Sequence, residues 1–152
     1  MSESPAEFTI RTAGRGDDRA IRALIRGGRI NPFMVDWRNF IVAEDAAGRI
    51  VGIGAVKQHG DSSRELASIA TAPDWRERGV AGTLIRRILA RERGPLYLTC
   101  RDGMAPFYER FGFRVIGENE MPPYFRRLLR LFTIPAAIFR LRNRPTVMKL
   151  ER

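Results

Sequence analysis

Pro73-Asp-Trp-Arg-Glu-Arg-Gly-Val-Ala-Gly-Thr-Leu84 joins an apolar run to a helical pattern through a turn suited to holding phosphate. Before it, Leu66-Ala-Ser-Ile-Ala-Thr71 is short, apolar and bounded by punctuation, the pattern of a buried strand. After it, Val80, Leu84, Ile85, Ile88 and Leu89 recur at helical spacing until Gly94-Pro95 supplies a stop. The stretch reads as strand, turn, helix. The first N–H groups of a helix lack intrahelical partners and the macrodipole adds partial positive charge there, so a nearby anion is favoured. Gly79, Ala81 and Gly82 are small enough for an anion to approach the backbone, and Arg76 and Arg78 add full charges beside it. The alternative is a tight connection whose glycines only ease packing.

The turn is not a P-loop, because no Gly-Lys-Ser/Thr follows, and it lacks the spacing of a dinucleotide fingerprint. Arg76-Glu-Arg-Gly79-Val-Ala81 instead fits Arg/Gln-x-x-Gly-x-Gly/Ala. At these residues the chain resembles the GNAT superfamily of N-acetyltransferases, whose version of the signature binds the pyrophosphate of acetyl-coenzyme A. The resemblance implies cofactor contacts from Arg76, Glu77, Arg78, Gly79, Val80, Ala81, Gly82 and Thr83. It also implies that the backbone of Ile69, Ala70 and Thr71 pairs with the pantetheine arm as an added strand would.

A chain of 152 residues fits one compact domain, here residues 6 to 152, long enough to bury a core without staples. The formal net charge of +10 points to anionic partners without choosing among coenzyme A, nucleic acid and an acidic membrane surface. The single Cys100 excludes an internal disulfide, and no cysteine cluster suggests zinc, so no metal is expected. The first residues carry acid and no apolar core, and no apolar stretch is long enough to span a bilayer; the expected compartment is the cytoplasm.

Along the chain, Phe8 to Thr12 alternates as a first strand, and Asp17-Asp18 offers an N-cap to a helix whose apolar face is Ile21, Leu24 and Ile25. Gly28 to Arg38, with Pro32, is a loop or broken helix. Phe40 to Glu44 and Ile50 to Lys57 are strands about the turn Asp45-Ala-Ala-Gly48. His59 to Arg64 is a second turn, and Glu65 opens the strand that enters the phosphate turn. Leu96 to Cys100 is a strand; Asp102 is a candidate cap for a short helix through Arg110, with Pro106 in its first turn. Phe113 to Ile116 and Thr146 to Leu150 complete the strands. The order is α/β. The resemblance implies a twisted, mixed, largely antiparallel sheet flanked by helices, with its fourth and fifth strands splayed around acetyl-coenzyme A. Residues 118 to 145 are an insert before the last strand, which Pro135 is expected to divide into two helical pieces; Phe125, Leu128, Leu129 and Phe132 share one face.

A thioester held by its phosphates still needs a free-base amine and a proton returned to the departing thiolate. Ala105-Pro-Phe-Tyr-Glu-Arg-Phe-Gly-Phe113 matches the GNAT pattern Ala-x-x-Tyr-x-x-x-Gly-Phe, and the resemblance implies that Tyr108 is the general acid near the sulfur. An ordinary phenol, with a pKa of about 10, holds its proton at neutral pH. Glu65 is the candidate base, directly or through a water; a solvated or salt-bridged glutamate is the alternative. His59, the only histidine, is a second candidate, against an ordinary turn histidine. Cys100 has no neighbour in sequence to activate it, and the expected mechanism is direct attack in a ternary complex. Arg101 lies near where many GNAT members carry an asparagine that helps hold the pantetheine arm.

The acceptor is expected to be the amine of a small molecule or a protein. Arg29, Arg38 and Arg126 could receive a carboxylate, which favours an amino-acid-like amine. Three roles are open to the insert: packing over the sheet or against a second copy in a homodimer, resting on anionic lipid through residues 121 to 144, or binding nucleic acid, for which no recognition motif exists. A non-catalytic acyl-CoA-binding or membrane-associated module with the same fold is the alternative function.

Overall fold

The computed structural model describes residues 7–28, 30, 32, 35–139 and 145–152. Its strands are β1 (Phe8–Thr12), β2 (Phe40–Asp45), β3 (Ile50–Gln58), β4 (Arg64–Thr71), β5 (Leu96–Arg101), β6 (Arg114–Val115) and β7 (Pro145–Leu150). Its α-helices are α1 (Asp18–Gly27), α2 (Val80–Arg91), α3 (Ala105–Glu109) and α4 (Pro123–Phe139). The strands form one open sheet in the order β1-β2-β3-β4-β5-β7-β6. It is mixed and mostly antiparallel, with β4 and β5 parallel and in register at Glu65 and Tyr97. The expected α/β class, with a helical element before the last strand, is what forms. Two compact units divide the chain, Met1–Val56 with Ser68–Glu92 and Lys57–Ala67 with Arg93–Arg152.

In the first unit, β2 and β3 are joined by an Asx-type turn: Asp45 Oδ1 accepts from the N–H groups of Ala47 (3.0 Å) and Arg49 (2.9 Å), and Gly48 is left-handed. Ile21 and Ile25 of α1 are fully buried with Phe40, Val42 and Ile53, each worth about 1.5–3 kcal/mol against exposure. α2 buries Val80, Leu84, Ile85, Ile88 and Leu89, the five positions its periodicity marked. It lies close on β3 because Gly52 and Gly54 carry no side chain: a Cβ on Gly52 would collide with Val80, and one on Gly54 would come within 3.2 Å of Ile88. The expected N-cap of α1 needs correction. Asp17 stands at the cap position, but its carboxylate turns back to the Gly14 N–H (2.7 Å) and to Arg11 (2.7 and 2.9 Å), a stronger set of donors than one helical N–H.

In the second unit, β7 pairs with β5 from Leu96↔Leu150 to Arg101↔Pro145 and with β6 at Arg114 and Val115. Phe125 and Leu129 of α4 pack with Ile116, Met121 and Val147, so the insert covers the unit's own core, while Arg126, Arg127 and Arg130 are exposed. Two expectations are corrected here. Asp102 begins a separate 3₁₀ turn through Met104, which places Met104 rather than Asp102 at the cap position of α3. The insert is one helix through Pro135 rather than two pieces. A proline there removes a single bond to the carbonyl of Leu131, and Leu131 is exposed, so water can take the place of the missing donor. Phe132 lies where side chains are outside the described set. Among the described residues no helix is long and apolar enough to cross a membrane.

Candidate active site

The turn expected to hold phosphate lies in the first unit. The 3₁₀ turn Pro73–Trp75 delivers Arg76 in extended backbone; Glu77 (φ 63) and Gly79 (φ 80) are both left-handed, and α2 then starts at Val80. Left-handed residues in such turns are the conformation in which successive N–H groups converge on an anion. For Glu77 that backbone costs about 1–3 kcal/mol, the kind of strain found where a ligand is held. Arg76, Glu77, Arg78 and Gly79 are exposed, and a Cβ built on Gly79 would meet nothing within 4 Å, so the turn is open. A phosphate fits this donor set of free helix-start N–H groups and guanidinium.

The candidate cofactor residues differ in what remains free. Arg78 lies over the Trp75 ring at 4.6 Å and 3.5 Å from Glu7, so it is steered by both. Thr83 donates its hydroxyl to the Gly79 carbonyl (2.7 Å) and holds the first turn of α2 closed rather than offering that proton to a ligand. Val80 is buried, and Ala81 and Gly82 are half-buried. Ile69 turns toward Gly54, Ala70 joins the core, and Thr71 ends β4. A pair that sequence reasoning missed sits at the turn's entrance, where Arg49 grips Asp74 in a fork at 2.7 and 2.9 Å and holds the Asp74 carboxyl below its ordinary range.

Tyr108 belongs to the second unit, on α3, edge-on to Phe107 and Phe113. Burial, with the nearby Cys100, pushes its pKa up to about 12, so the phenol keeps its proton at any physiological pH. Cys100 is partly buried, with its sulfur 3.9 Å from that of Met148. Arg101 is exposed.

Glu65 is neither solvated nor alone. Its Oε2 lies 2.9 Å from His59 Nε2, and the two side chains are only 12% and 6% exposed. The imidazole stacks on Tyr124 of α4 at 3.5 Å and meets Phe125 edge-on. Tyr97 packs on Phe125, with Lys149 over its ring. Asp61 completes the group by accepting the Tyr124 N–H (2.9 Å), a carboxylate at the start of α4 where the helix dipole favours one. Burial would raise the Asp61 carboxyl, but hydrogen bonds from Ser63 and from the Tyr124 N–H, with His59 nearby, hold it down at about 2. The two candidate bases are thus one pair. The signal for it was the turn: His59 N–H bonds the Ser63 carbonyl (2.9 Å), and residues two apart on a strand share a face, so 65 falls on the side of 59.

Arg38 is exposed, lying over Trp37 and 3.4 Å from Asp36; Arg126 is exposed at the start of α4; Arg29 lies outside the described residues. Among the described residues no group of three or more His, Cys, Asp or Glu could hold a metal ion.

A family model described as an acetyltransferase (GNAT) domain matches residues 36–115. Among solved structures, N-acetylglutamate synthase from Neisseria gonorrhoeae, complexed with coenzyme A and N-acetyl-glutamate, superposes with a TM-score of 0.76 at 22% identity, over 97% of this chain and 36% of that one. The present chain thus spans little more than a third of that enzyme. Rv2747 from Mycobacterium tuberculosis, in complex with coenzyme A and NLQ, gives 0.70 at 22% identity, over 95% and 99% of the two chains. The ribosomal-protein-S18-alanine N-acetyltransferase from Escherichia coli gives 0.63 at 18%, over 95% and 93%. No curated protein matches the chain in sequence.

Proposed function

Because the chain belongs to the GNAT acetyltransferases, we propose that it moves the acetyl group of acetyl-coenzyme A to the primary amine of an amino-acid-like acceptor by direct attack in a ternary complex. The observation that carries the reading is the turn into α2, with its two left-handed residues, exposed Arg76 and unpaired helix-start N–H groups. These groups hold the pyrophosphate, and the backbone of Ile69, Ala70 and Thr71 pairs with the pantetheine arm.

The remaining steps fall to Glu65, His59 and Tyr108. The Glu65–His59 pair accepts the proton of the incoming ammonium, which must leave before the nitrogen can attack; the hydrogen bond fixes the imidazole as a carboxylate does in hydrolytic triads. Tyr108, held protonated by its burial, returns a proton to the departing thiolate. Free thiol and acetylated amine then form in equal amounts. Positioning supplies much of the acceleration.

An amino-acid-like acceptor agrees with the N-acetyl-glutamate in the gonococcal structure and with the supply of arginines, of which Arg38 and Arg126 are exposed to receive a carboxylate. The test is the initial rate of thiol release from acetyl-coenzyme A across a panel of amino acids, their amides, polyamines and lysine peptides. Acceleration by free amino acids over the matching amides is expected. An acetyl-coenzyme A-binding protein that no amine accelerates would overturn the proposal in favour of a non-catalytic acyl-CoA module.

A further inference from the structure

The His59 imidazole is held by three contacts that constrain it in different directions. The Tyr124 ring lies parallel to it, with centroids 3.5 Å apart and an interplanar angle of 11°, which fixes the plane of the imidazole. Phe125 meets it edge-on at 5.9 Å and limits its tilt. Within that plane, the 2.9 Å contact between Nε2 and Glu65 Oε2 fixes the rotation of the ring. The stack is itself anchored. Asp61 Oδ2 accepts from the Tyr124 N–H (2.9 Å), Asp61 Oδ1 accepts from the Ser63 N–H (2.9 Å), and the His59 N–H bonds the Ser63 carbonyl (2.9 Å). The turn that carries His59 and the helix start that carries Tyr124 are thereby one hydrogen-bonded piece, inside the second unit.

A carboxylate only accepts, and a neutral imidazole has one N–H and one lone pair. The proton between the two groups is therefore on Nε2, which leaves the lone pair on Nδ1. A ring turned over about its Cβ–Cγ bond would present Cε1 to Glu65 and carry the lone pair to the opposite edge. Turning over sweeps the imidazole through the space that the Tyr124 ring occupies, so the stack blocks it. Resting on the reading above that the Glu65–His59 pair takes the ammonium proton, we propose that Tyr124 is a positioning residue for that step: its ring keeps the imidazole oriented so that Nε2–H donates to Glu65 and Nδ1 receives the proton. The ammonium N–H bond breaks and an Nδ1–H bond forms, while the amine keeps the electron pair with which it attacks the thioester. The resulting imidazolium is matched by the Glu65 carboxylate, and its proton passes to solvent before the next turnover. Glu65 is then the orienting partner and Nδ1 the atom that takes the proton. The insert before the last strand thus supplies part of the acid–base machinery.

His59 is the only histidine, so nitrogen NMR of protein labelled in its histidine reads this one ring without knowledge of the acceptor. At alkaline pH, where the ring signals no longer move, the proton is expected on Nε2 in the native protein and in Tyr124→Phe, which keeps the stack. Tyr124→Leu keeps apolar bulk but loses the stack, and its Nε2–H should exchange with solvent about two- to tenfold faster. With the fastest amine of the panel its kcat should fall by about the same factor, the KM for acetyl-coenzyme A should not change, and Tyr124→Phe should restore the native rate. Added to His59→Gln, Tyr124→Leu should lower kcat no further. Asp61→Asn loosens the same stack from the helix side and should speed the exchange by a smaller factor; it carries the test if Tyr124→Leu does not fold. A native ring protonated on Nδ1, native exchange in both Tyr124→Leu and Asp61→Asn, or a Tyr124→Phe protein as impaired as Tyr124→Leu would overturn the assignment. A native rate in His59→Gln would instead overturn the base reading, and the positioning role with it, while the tautomer and exchange results stood.

Discussion

Replacing Asp61 by asparagine keeps the side chain's shape and removes its charge from the N-terminus of α4. In the native protein that carboxylate accepts from the Tyr124 N–H and from Ser63, which hold its pKa at about 2 against an ordinary 3.8. A carboxyl depressed by that much contributes roughly 2.5 kcal/mol by linkage if fully realised; partial exposure and solvent screening reduce this to about 1–2 kcal/mol. Because the folded value lies below the unfolded one, the contribution is fully present above pH ~4 and is lost as the pH falls toward ~2. Urea denaturation of Asp61→Asn should therefore show a deficit of about 1–2 kcal/mol at pH 7, or a melting temperature lower by roughly 2–8 °C. The native and variant curves should converge as the pH approaches 2. Since Tyr124 stacks on His59, a loosened α4 start should also weaken catalysis, mainly in kcat. Equal stabilities at pH 7, or a deficit that persists undiminished at pH 2, would refute the reasoning.

Further outcomes follow from the same geometry. Tyr108→Phe should lower kcat by about 10²–10⁴-fold with little change in acetyl-coenzyme A affinity, and the native protein should show no loss from this group up to at least pH ~10, since its pKa stands at about 12; steady-state kinetics across pH checks both. His59→Gln and Glu65→Gln, which share one hydrogen bond, should be non-additive, the double variant costing little more in kcat/KM than the worse single one. Gly79→Val forces a β-branched residue to φ 80 at the phosphate turn, and should raise the dissociation constant of coenzyme A at least tenfold and lower the melting temperature. Gly52→Val collides with the Val80 side chain and should cost about 1–3 kcal/mol in denaturation.

What the sequence made legible was local. Strands rich in β-branched residues, the 3.6-residue recurrence in α2 and the glycine-and-arginine turn between β4 and α2 are each decided by neighbours in the chain, and each formed where the pattern put it. The family motif around Tyr108 likewise lies within nine residues and falls on the short helix expected there. What escaped was decided by partners far along the chain. Asp17 had a helix start to cap but also had Arg11, and the charge-assisted fork won. Asp61 reaches the α4 backbone 63 residues away, which no periodicity announces. Pro135 would end an isolated helix, yet α4 continues through it. Ser68 looked like one small residue in an apolar strand, and its left-handed backbone left no mark in composition. His59 and Glu65 were visible singly; the turn that pairs them was the clue that two candidate bases were one.

The central claim, acetyl transfer from acetyl-coenzyme A to an amine, is tested most directly by mass spectrometry of a single-turnover mixture of the protein, acetyl-coenzyme A and the best amine of the panel. One acetylated amine is expected for each coenzyme A released, both slowed together in Tyr108→Phe, with no acetyl group left on the protein. Thiol release without an acetylated amine, or an acetyl group retained on Cys100 before the amine is added, would contradict it.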